Sequence, residues 1–206
     1  MLAIVDYGVG NLFSLRSSFA AIGAQAVVTG DAKQIRTADR VVLPGVGAFG
    51  DAASLLHDTG LDAAVIGAAR AGKPLLGICL GMQLLLEQSL EYGTHTGLGL
   101  VPGTVRPVRP VIPEHLKVPH IGWNALQFPE NRPVHPLFRH IQPGDCVYFV
   151  HSYYADSPDS AVIARAEYGA WLTAAVAQDN VMGVQFHPEK SGSVGLGILR
   201  AFCEMR

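Results

Sequence analysis

The chain has 206 residues, of which 49% are hydrophobic and 16% are charged, and its formal net charge at pH 7 is -2. This composition excludes a disordered chain, because enough apolar surface is present for a buried core, and the length predicts a single domain over residues 1–206. The small net charge and the lack of a Lys/Arg-rich run exclude a nucleic-acid-binding or anionic-membrane-binding protein, so a small-molecule substrate is expected.

Four short strands and four helices are predicted in the first ninety residues, where apolar runs alternate with segments of helical spacing. The strands are predicted at residues 2–5, 26–29, 41–43 and 75–78, and the helices at residues 12–22, 49–56, 61–71 and 82–90. Strands that alternate with helices in this way are typical of a parallel sheet covered on both faces.

The second half of the chain has a different pattern, because Pro and Gly are frequent between residues 93 and 143 and helical spacing fades. Strands are predicted at residues 104–108, 123–128, 146–150, 161–166, 172–178 and 181–186, followed by a helix at residues 193–205. The predicted fold class is therefore α/β: a mixed, mostly parallel, doubly wound sheet flanked by helices, of flavodoxin-like type, with an antiparallel extension. Ligands of such sheets bind at the carboxyl ends of parallel strands, which indicates residues 6–11, 44–47 and 77–81.

The apolar runs and the cysteines predict a soluble, cytoplasmic protein. The longest apolar stretch, residues 74–82, is much shorter than the ~20 residues of a membrane span, and the N-terminus lacks the pattern of a signal peptide. Cys79, Cys146 and Cys203 are too widely spaced for a disulfide framework or a zinc site, so neither a metal nor a cofactor is expected. Cys146 and Cys203 are interpreted as small buried apolar residues.

The segment GICLG, residues 77–81, places a cysteine between two glycines at the end of an apolar strand and the start of a helix. This pattern is typical of the sharp turn that presents a nucleophile in hydrolases, where small neighbours allow a strained backbone. A lone cysteine in an apolar strand is more often core packing, but the position and the flanking glycines favour Cys79 as the nucleophile.

A thiol nucleophile needs a proton partner, and His187 follows a predicted strand in the segment QFHPE. Glu189, two residues later, can accept a hydrogen bond from the imidazole and orient it. The alternative is that this segment is only a polar end of the strand, and it is the weaker interpretation because the nucleophile candidate Cys79 is also present.

Stabilisation of an oxyanion needs unobstructed backbone N–H groups, which the loop Gly45, Val46 and Gly47 could supply together with Leu80. A glycine turn that only starts the next helix is the alternative for this loop.

GICLGMQLL and QFHPEKS resemble the nucleophile and histidine–glutamate motifs of the class I, triad-type glutamine amidotransferases. Within that family, DYGVGN at residues 6–11, PHIGWN at residues 119–124 and VHSY at residues 150–153 are similar to the glutaminase subunits of imidazole glycerol phosphate synthase. The resemblance extends from residue 2 to the last predicted helix.

The resemblance implies that Cys79 attacks the carboxamide of L-glutamine, that His187 protonates the departing ammonia and that Glu189 orients His187. By their positions in the motifs, it further implies that the side chains of Gln83 and Glu91, with the backbone of Ser152 and Tyr153, hold the amino-acid end of the substrate. The spacing of four residues between Cys79 and Gln83 independently favours one shared helix face. An ordinary solvated helix surface is the alternative for Gln83 and Glu91.

The family resemblance also implies a heterodimer with a (βα)8-barrel cyclase subunit, which uses the ammonia to make imidazole glycerol phosphate and an aminoimidazole carboxamide ribotide in histidine biosynthesis. Asn11, Trp123 and Lys190 resemble interface positions, although a tryptophan in a half-buried sheet is as often core. Phe13 departs from the family, whose opening helix more often carries a basic residue. Such glutaminases are commonly silent until the partner and its ligand rearrange the oxyanion loop.

Two other functions share parts of this pattern. A self-sufficient cysteine hydrolase, such as a γ-glutamyl hydrolase, or a glutaminase serving anthranilate, guanylate or pyridoxal phosphate synthesis would carry the same triad. The segments at residues 6–11 and 119–124 favour the imidazole glycerol phosphate enzyme instead. A non-catalytic scaffold of this fold would have lost Cys79, His187 or Glu189, and all three are present.

Overall fold

A computed structural model describes residues 1–205 and contains thirteen strands and six α-helices in that part of the chain. The strands are β1 (Leu2–Val5), β2 (Ala26–Thr29), β3 (Arg40–Leu43), β4 (Leu75–Ile78), β5 (Gln88–Ser89), β6 (His95–Thr96), β7 (Thr104–Pro107), β8 (His120–Ala125), β9 (Cys146–His151), β10 (Tyr153–Asp156), β11 (Val162–Glu167), β12 (Trp171–Gln178) and β13 (Val181–Val184). The helices are α1 (Leu12–Ala21), α2 (Ala32–Thr37), α3 (Phe49–Asp58), α4 (Leu61–Arg70), α5 (Leu80–Leu84) and α6 (Gly192–Glu204).

The main sheet has seven strands in the order β11-β12-β13-β4-β3-β1-β2. β2, β1, β3, β4 and β13 run parallel, whereas β12 and β11 continue the sheet antiparallel. Apart from Arg40 at the start of β3, the central strands β1, β3 and β4 consist of residues without polar side chains that are buried on both faces, as expected for parallel strands between helices. The mixed sheet with an antiparallel extension confirms the predicted fold class.

Two hydrophobic clusters cover the two faces of this sheet. On one face, α2, α3 and α4 contribute buried residues such as Ile35, Leu56 and Val65. On the other face, α1 and α6 contribute Phe19 and Phe202. α1, α3, α4 and α6 carry their buried residues at helical spacing, so the apolar stripe of each helix packs on the sheet and its opposite side faces solvent.

Two smaller sheets lie at the carboxyl ends of the central strands. One contains β10-β7-β5-β6, and the other is the antiparallel pair β8 and β9. The backbone N–H of His187, just after β13, donates to the carbonyl oxygen of Tyr148 in β9. This bond attaches the small sheet to the edge where the parallel strands end.

The predicted helix at residues 82–90 is wrong in its second half, because α5 ends at Leu84 and β5 follows. The carbonyl oxygens of Leu84, Leu85 and Leu86 accept hydrogen bonds from the backbone of residues 98–101 instead of continuing a helix. Gly97 permits this approach, since a Cβ atom there would overlap the Leu86 carbonyl oxygen. A distant segment therefore overrides the local helix propensity.

The short elements α2, β5, β6 and β10 were not predicted, and the other predicted strands and helices are present with shifts of a few residues at their ends. The interpretation of Cys146 as buried is wrong: it is exposed at the first position of β9, where alternate residues face solvent. Cys203 is half-buried on α6. No helix within residues 1–205 is long and apolar enough to cross a membrane.

Candidate active site

Cys79 occupies a strained turn between β4 and α5, with φ 53° and ψ −111°. A residue other than glycine rarely adopts a positive φ, and such strain is concentrated at functional sites. The two flanking glycines are needed for close packing. A Cβ atom at Gly77 would lie 2.6 Å from the Gly81 carbonyl oxygen, and one at Gly81 would overlap the carbonyl oxygen of Leu43 in β3. The predicted nucleophile turn is therefore present.

His187 and Glu189 form a buried pair beside Cys79. His187 Nδ1 lies 2.8 Å from Glu189 Oε1, and both side chains are almost fully buried. Burial lowers the pKa of His187, but hydrogen bonds to Cys79 and Glu189 and the charges of these groups outweigh it and raise the pKa to about 9. Imidazole between a sulfur and a carboxylate can take a proton from the thiol and keep the resulting charge paired.

A cavity of about 290 Å³ opens above the Cys79 sulfur. Its lining includes the predicted residues Val46, Gly47, Cys79, Leu80, Gln83, Glu91, Ser152, Tyr153 and His187, together with Pro119, Val150 and His151. Gly45 is buried beneath this lining and Glu189 lies behind His187. The fold therefore brings the nucleophile, its histidine and the glycine loop to one small cleft, of a size at the lower end of that usual for small-molecule sites.

The cavity contains a second histidine, His151, which the sequence did not indicate as a site residue. Burial lowers the pKa of His151 to about 3, against the hydrogen bond that its Nδ1 makes to the Tyr153 carbonyl oxygen at 2.8 Å. It is therefore neutral at physiological pH and already engaged with the backbone. Of the two imidazoles in the cavity, only His187 is protonated at neutral pH and forms a hydrogen bond to Cys79, so only His187 can serve Cys79 as acid and base.

Gln83 and Glu91 are both buried, so the alternative of a solvated helix surface is wrong for each. Gln83 Nε2 donates to the Tyr153 carbonyl oxygen at 3.2 Å and to Gln185 Oε1 at 3.0 Å. Glu91 Oε2 accepts from the Phe49 backbone N–H at 2.7 Å. Gln83 Oε1 and Glu91 Oε1 make no such bond within residues 1–205, and each can accept a hydrogen bond from a ligand in the cavity.

Two residues at the site carried no recognised signal in the sequence. Gln185 is fully buried and its Nε2 lies 3.7 Å from the Cys79 sulfur, although it belongs to the same segment as His187. Tyr7 is also buried, and its hydroxyl donates to the Pro44 carbonyl oxygen at 2.9 Å. Their positions at the ends of β13 and β1 were the only available indication, because that sheet edge is where ligands bind.

Asn11, Trp123 and Lys190 lie outside the cavity. Trp123 is 55% exposed on β8, so the alternative of a core tryptophan is wrong. Its ring lies 5.9 Å from that of Tyr148 in an edge-on arrangement, and Lys190 Nζ lies 5.7 Å from the centre of the same Tyr148 ring. Asn11 precedes α1, on which Phe13 is 74% exposed. Trp123 and Lys190 thus share one surface patch with Tyr148.

The family model of glutamine amidotransferase class-I matches residues 3–204. This chain belongs to that family. Glutamine amidotransferases of this class use a cysteine nucleophile, and the motifs GICLG and QFHPE of this amidotransferase occupy the cleft described above. The resemblance stated from the sequence is confirmed.

Relatives of this amidotransferase are similar over nearly their whole length. The imidazole glycerol phosphate synthase subunit HisH of Sulfurimonas denitrificans is 50% identical over 210 residues, with 100% of this chain and 99% of that protein covered. The protein of the same name from Methanothermobacter thermautotrophicus is 48% identical over 205 residues, with 100% and 98% covered. The similarity therefore includes the segments between the catalytic motifs.

Solved structures share the fold of this amidotransferase at low sequence identity. The structure of PurLQS from Thermotoga maritima aligns with a TM-score of 0.76 at 18% identity, covering 98% of this chain and 96% of that chain. A crystal structure of a glutamine amidotransferase aligns with a TM-score of 0.75 at 18% identity, covering 98% and 97%. These two likenesses concern the fold alone, and they support the predicted fold class.

Proposed function

We propose that this chain is the glutaminase subunit of an imidazole glycerol phosphate synthase, acting as one domain over residues 1–206. It hydrolyses L-glutamine to glutamate and ammonia, and it supplies the ammonia to a separate cyclase subunit for histidine biosynthesis. The observation that carries the proposal is the placement of Cys79 against the buried His187–Glu189 pair at the floor of the cavity. The two HisH relatives, at 50% and 48% identity over the whole chain, support the choice of synthase.

The reaction begins when the Cys79 sulfur attacks the carboxamide carbon of glutamine, with the thiol proton held by His187. The new S–C bond leaves negative charge on the carboxamide oxygen, which backbone N–H groups of Val46 or Gly47 and of Leu80 would stabilise. The tetrahedral intermediate collapses, the C–N bond breaks, and His187 donates its proton to the departing amine, which leaves as ammonia. A γ-glutamyl thioester on Cys79 remains.

Water completes the cycle. His187, now neutral, takes a proton from a water molecule that attacks the thioester carbon, and the C–S bond breaks to release glutamate and Cys79. Glu189 acts on every step through His187, because its carboxylate at 2.8 Å fixes the ring orientation and stabilises the imidazolium. A free thiol is required throughout, which fits the reducing cytoplasm as the location of the enzyme.

The amino-acid end of glutamine would bind on the side of the cavity formed by α5 and the small sheets. Gln83 Oε1 and the second carboxylate oxygen of Glu91 are acceptors suited to the α-ammonium group. The backbone of Ser152 and Tyr153 lines the same side and would contact the α-carboxylate. These contacts would orient the carboxamide toward Cys79.

We further propose a heterodimer with a (βα)8-barrel cyclase subunit. The exposed patch of Trp123, Tyr148 and Lys190, together with Asn11 at the start of α1, would form the contact surface. Tryptophan and tyrosine side chains are typical anchors of protein interfaces. The partner and its nucleotide ligand would raise glutaminase activity by rearranging the loop of Val46 and Gly47, and the free chain would hydrolyse glutamine slowly.

The proposal is tested with Cys79→Ser in complex with the cyclase subunit. The variant should lose imidazole glycerol phosphate synthesis with glutamine but keep synthesis with ammonium salts close to the wild-type rate, because only the ammonia source is removed. Cys146→Ser is the matched control, since this exposed cysteine lies outside the cavity, and it should retain both reactions. Loss of the ammonia-dependent reaction in Cys79→Ser would contradict the proposed division of labour between two chains.

A further inference from the structure

The loop between β3 and α3 is held at both ends by side chains from other segments. At its start, the Tyr7 hydroxyl donates to the Pro44 carbonyl oxygen at 2.9 Å. At its end, the Phe49 backbone N–H donates to Glu91 Oε2 at 2.7 Å. Between these two points Val46 is 43% exposed and Gly47 has φ +102°. Among residues 1–205, no side chain anchors the middle of the loop in this way, and this middle part faces the cavity.

Tyr7 reaches this position because β1 and β3 are parallel neighbours, so the residues that follow them lie side by side. Its side chain is 4% exposed and its hydroxyl would lie 2.8 Å from a Cβ atom placed on Gly45. Pro44 is contacted from the same N-terminal segment by Gly10, where a Cβ atom would lie 3.1 Å from the Pro44 Cβ. The first peptide of the loop is thus closely enclosed by residues 7–10.

The Tyr7 hydroxyl is kept in its protonated, donating form. Burial and then the negative charge of a Cys79 thiolate raise its pKa well above the usual value for tyrosine. A hydroxyl that stays protonated can donate only one hydrogen bond, and the Pro44 carbonyl oxygen receives it. The orientation of the peptide between Pro44 and Gly45 is therefore fixed by a single buried bond.

We infer that Tyr7 is a positioning residue for the oxyanion site: its hydroxyl fixes the Pro44–Gly45 peptide, and this fixed end of the loop determines where the N–H groups of Val46 and Gly47 lie relative to Cys79 once the partner has rearranged the middle of the loop. This inference rests on the proposed glutaminase function. The N–H groups act on charge that develops only after the sulfur attacks, so Tyr7 affects the chemical step more than substrate binding. The amino-acid end of glutamine is held by other residues, Gln83 and Glu91.

Tyr7→Phe tests this role in the complex with the cyclase subunit, because it removes the hydroxyl and keeps the ring. We expect glutaminase kcat to fall about tenfold, since displaced oxyanion donors cost this much or more. The KM for glutamine, the rate of Cys79 alkylation by iodoacetamide followed by peptide mass spectrometry, and ammonia-dependent synthesis should stay unchanged. Tyr168→Phe is the matched control: the Tyr168 hydroxyl also donates to a backbone carbonyl, that of Lys117, at 2.8 Å, and its kcat should equal that of the wild type.

An unchanged kcat in Tyr7→Phe would overturn the inference. An equal fall in kcat and in Cys79 alkylation would also overturn it, because Tyr7 would then act on the sulfur. A variant that melts early and loses ammonia-dependent synthesis as well would show a purely structural role. Failure of the wild-type complex to hydrolyse glutamine would contradict the proposed function itself and is distinguished from these outcomes by the wild-type measurement alone.

Discussion

The side-chain amide of Gln185 donates from Nε2 to the sulfur of Cys79 at 3.7 Å. Its orientation follows from a chain of hydrogen bonds. The Tyr153 carbonyl oxygen can only accept, so Gln83 turns its Nε2 toward it, and the same Nε2 donates to Gln185 Oε1 at 3.0 Å. The remaining group of the Gln185 amide is its NH₂, which faces the sulfur. A buried donor in this position stabilises negative charge on the sulfur when Cys79 reacts.

Gln185→Leu should slow Cys79 alkylation by iodoacetamide and lower glutaminase kcat, each by about tenfold, because the loss of one hydrogen bond to a charged group is worth about that factor. Peptide mass spectrometry at Cys79 and steady-state glutamine hydrolysis provide the two rates. Gln178→Leu, at the exposed end of β12, is the control and should change neither. Unaltered alkylation in Gln185→Leu would show that the contact has no effect on the sulfur.

His187 should remain protonated up to a pH of about 9, as followed by NMR of histidine-labelled protein. Its pKa in the folded state is higher than the unfolded value of 6.5, so its protonation stabilises the fold fully below pH 6.5. That stabilisation, about 3 kcal/mol for this shift, is lost as the pH rises through about 9. Urea unfolding across this range measures the loss, and a His187 midpoint at or below 6.5 would contradict it.

Glu189→Gln should lower the pKa of His187 and reduce glutaminase kcat by about a hundredfold or more, because a neutral amide no longer stabilises the imidazolium. In the wild type, Glu189 Oε2 is buried and has no hydrogen-bond partner within residues 1–205. An NH₂ group at this position in the variant would therefore also be buried without a partner. Stopped assays of glutamate release and the His187 NMR titration test both effects. The matched control is Glu204→Gln, which changes an exposed carboxylate at the end of α6 that contacts His140. This variant should retain wild-type activity.

Gly81→Ala should destabilise the fold by about 3 kcal/mol, because the added methyl group overlaps the Leu43 carbonyl oxygen and the backbone of β3 must move. Thermal or urea unfolding measures the change. Gly67→Ala is the control inside α4, where an added Cβ atom meets no other atom within 4 Å, and it should stabilise the protein slightly. Similar stabilities of the two variants would argue against the close packing of the nucleophile turn.

Trp123→Ala should weaken binding of the cyclase subunit by about tenfold or more, as expected for a tryptophan at the centre of an interface. Trp171→Ala is the matched control, because Trp171 is similarly exposed, at 59%, on β12 and is not part of the patch of Trp123, Tyr148 and Lys190. This variant should bind the cyclase subunit as the wild type does. Calorimetric titration gives both affinities. Stimulation of glutamine hydrolysis by the cyclase subunit should fall together with the affinity in Trp123→Ala only. Equal affinities of Trp123→Ala and the wild type would place the interface elsewhere.

Several features could be predicted from the sequence because their determinants are local. The alternation of apolar runs with segments of helical spacing was sufficient to predict the doubly wound sheet, and the glycines around Cys79 were sufficient to predict the strained turn. His187 and Glu189 are two residues apart in one short segment, so their pairing also followed from the motif. Each of these features depends on covalent geometry and on side chains within one turn or strand.

Other features depended on segments far apart in the chain. The helix expected at residues 82–90 ends early because residues 97–101 bind its carbonyl oxygens, and Cys146 is exposed because of its place in the β8–β9 pair. Nothing in a local pattern shows these contacts.

The sequence by itself determined which chemistry the chain carries: a cysteine nucleophile with a histidine and a glutamate, on an α/β sheet. Only the tertiary structure decided how that site is supported. Gln185 meets Cys79 across 106 positions and Tyr7 meets Pro44 across 37, because neighbouring parallel strands bring their carboxyl ends together. Burial at that edge raises the pKa of Tyr7 and leaves His151 neutral, whereas hydrogen bonds to Cys79 and Glu189 keep His187 protonated against the effect of burial.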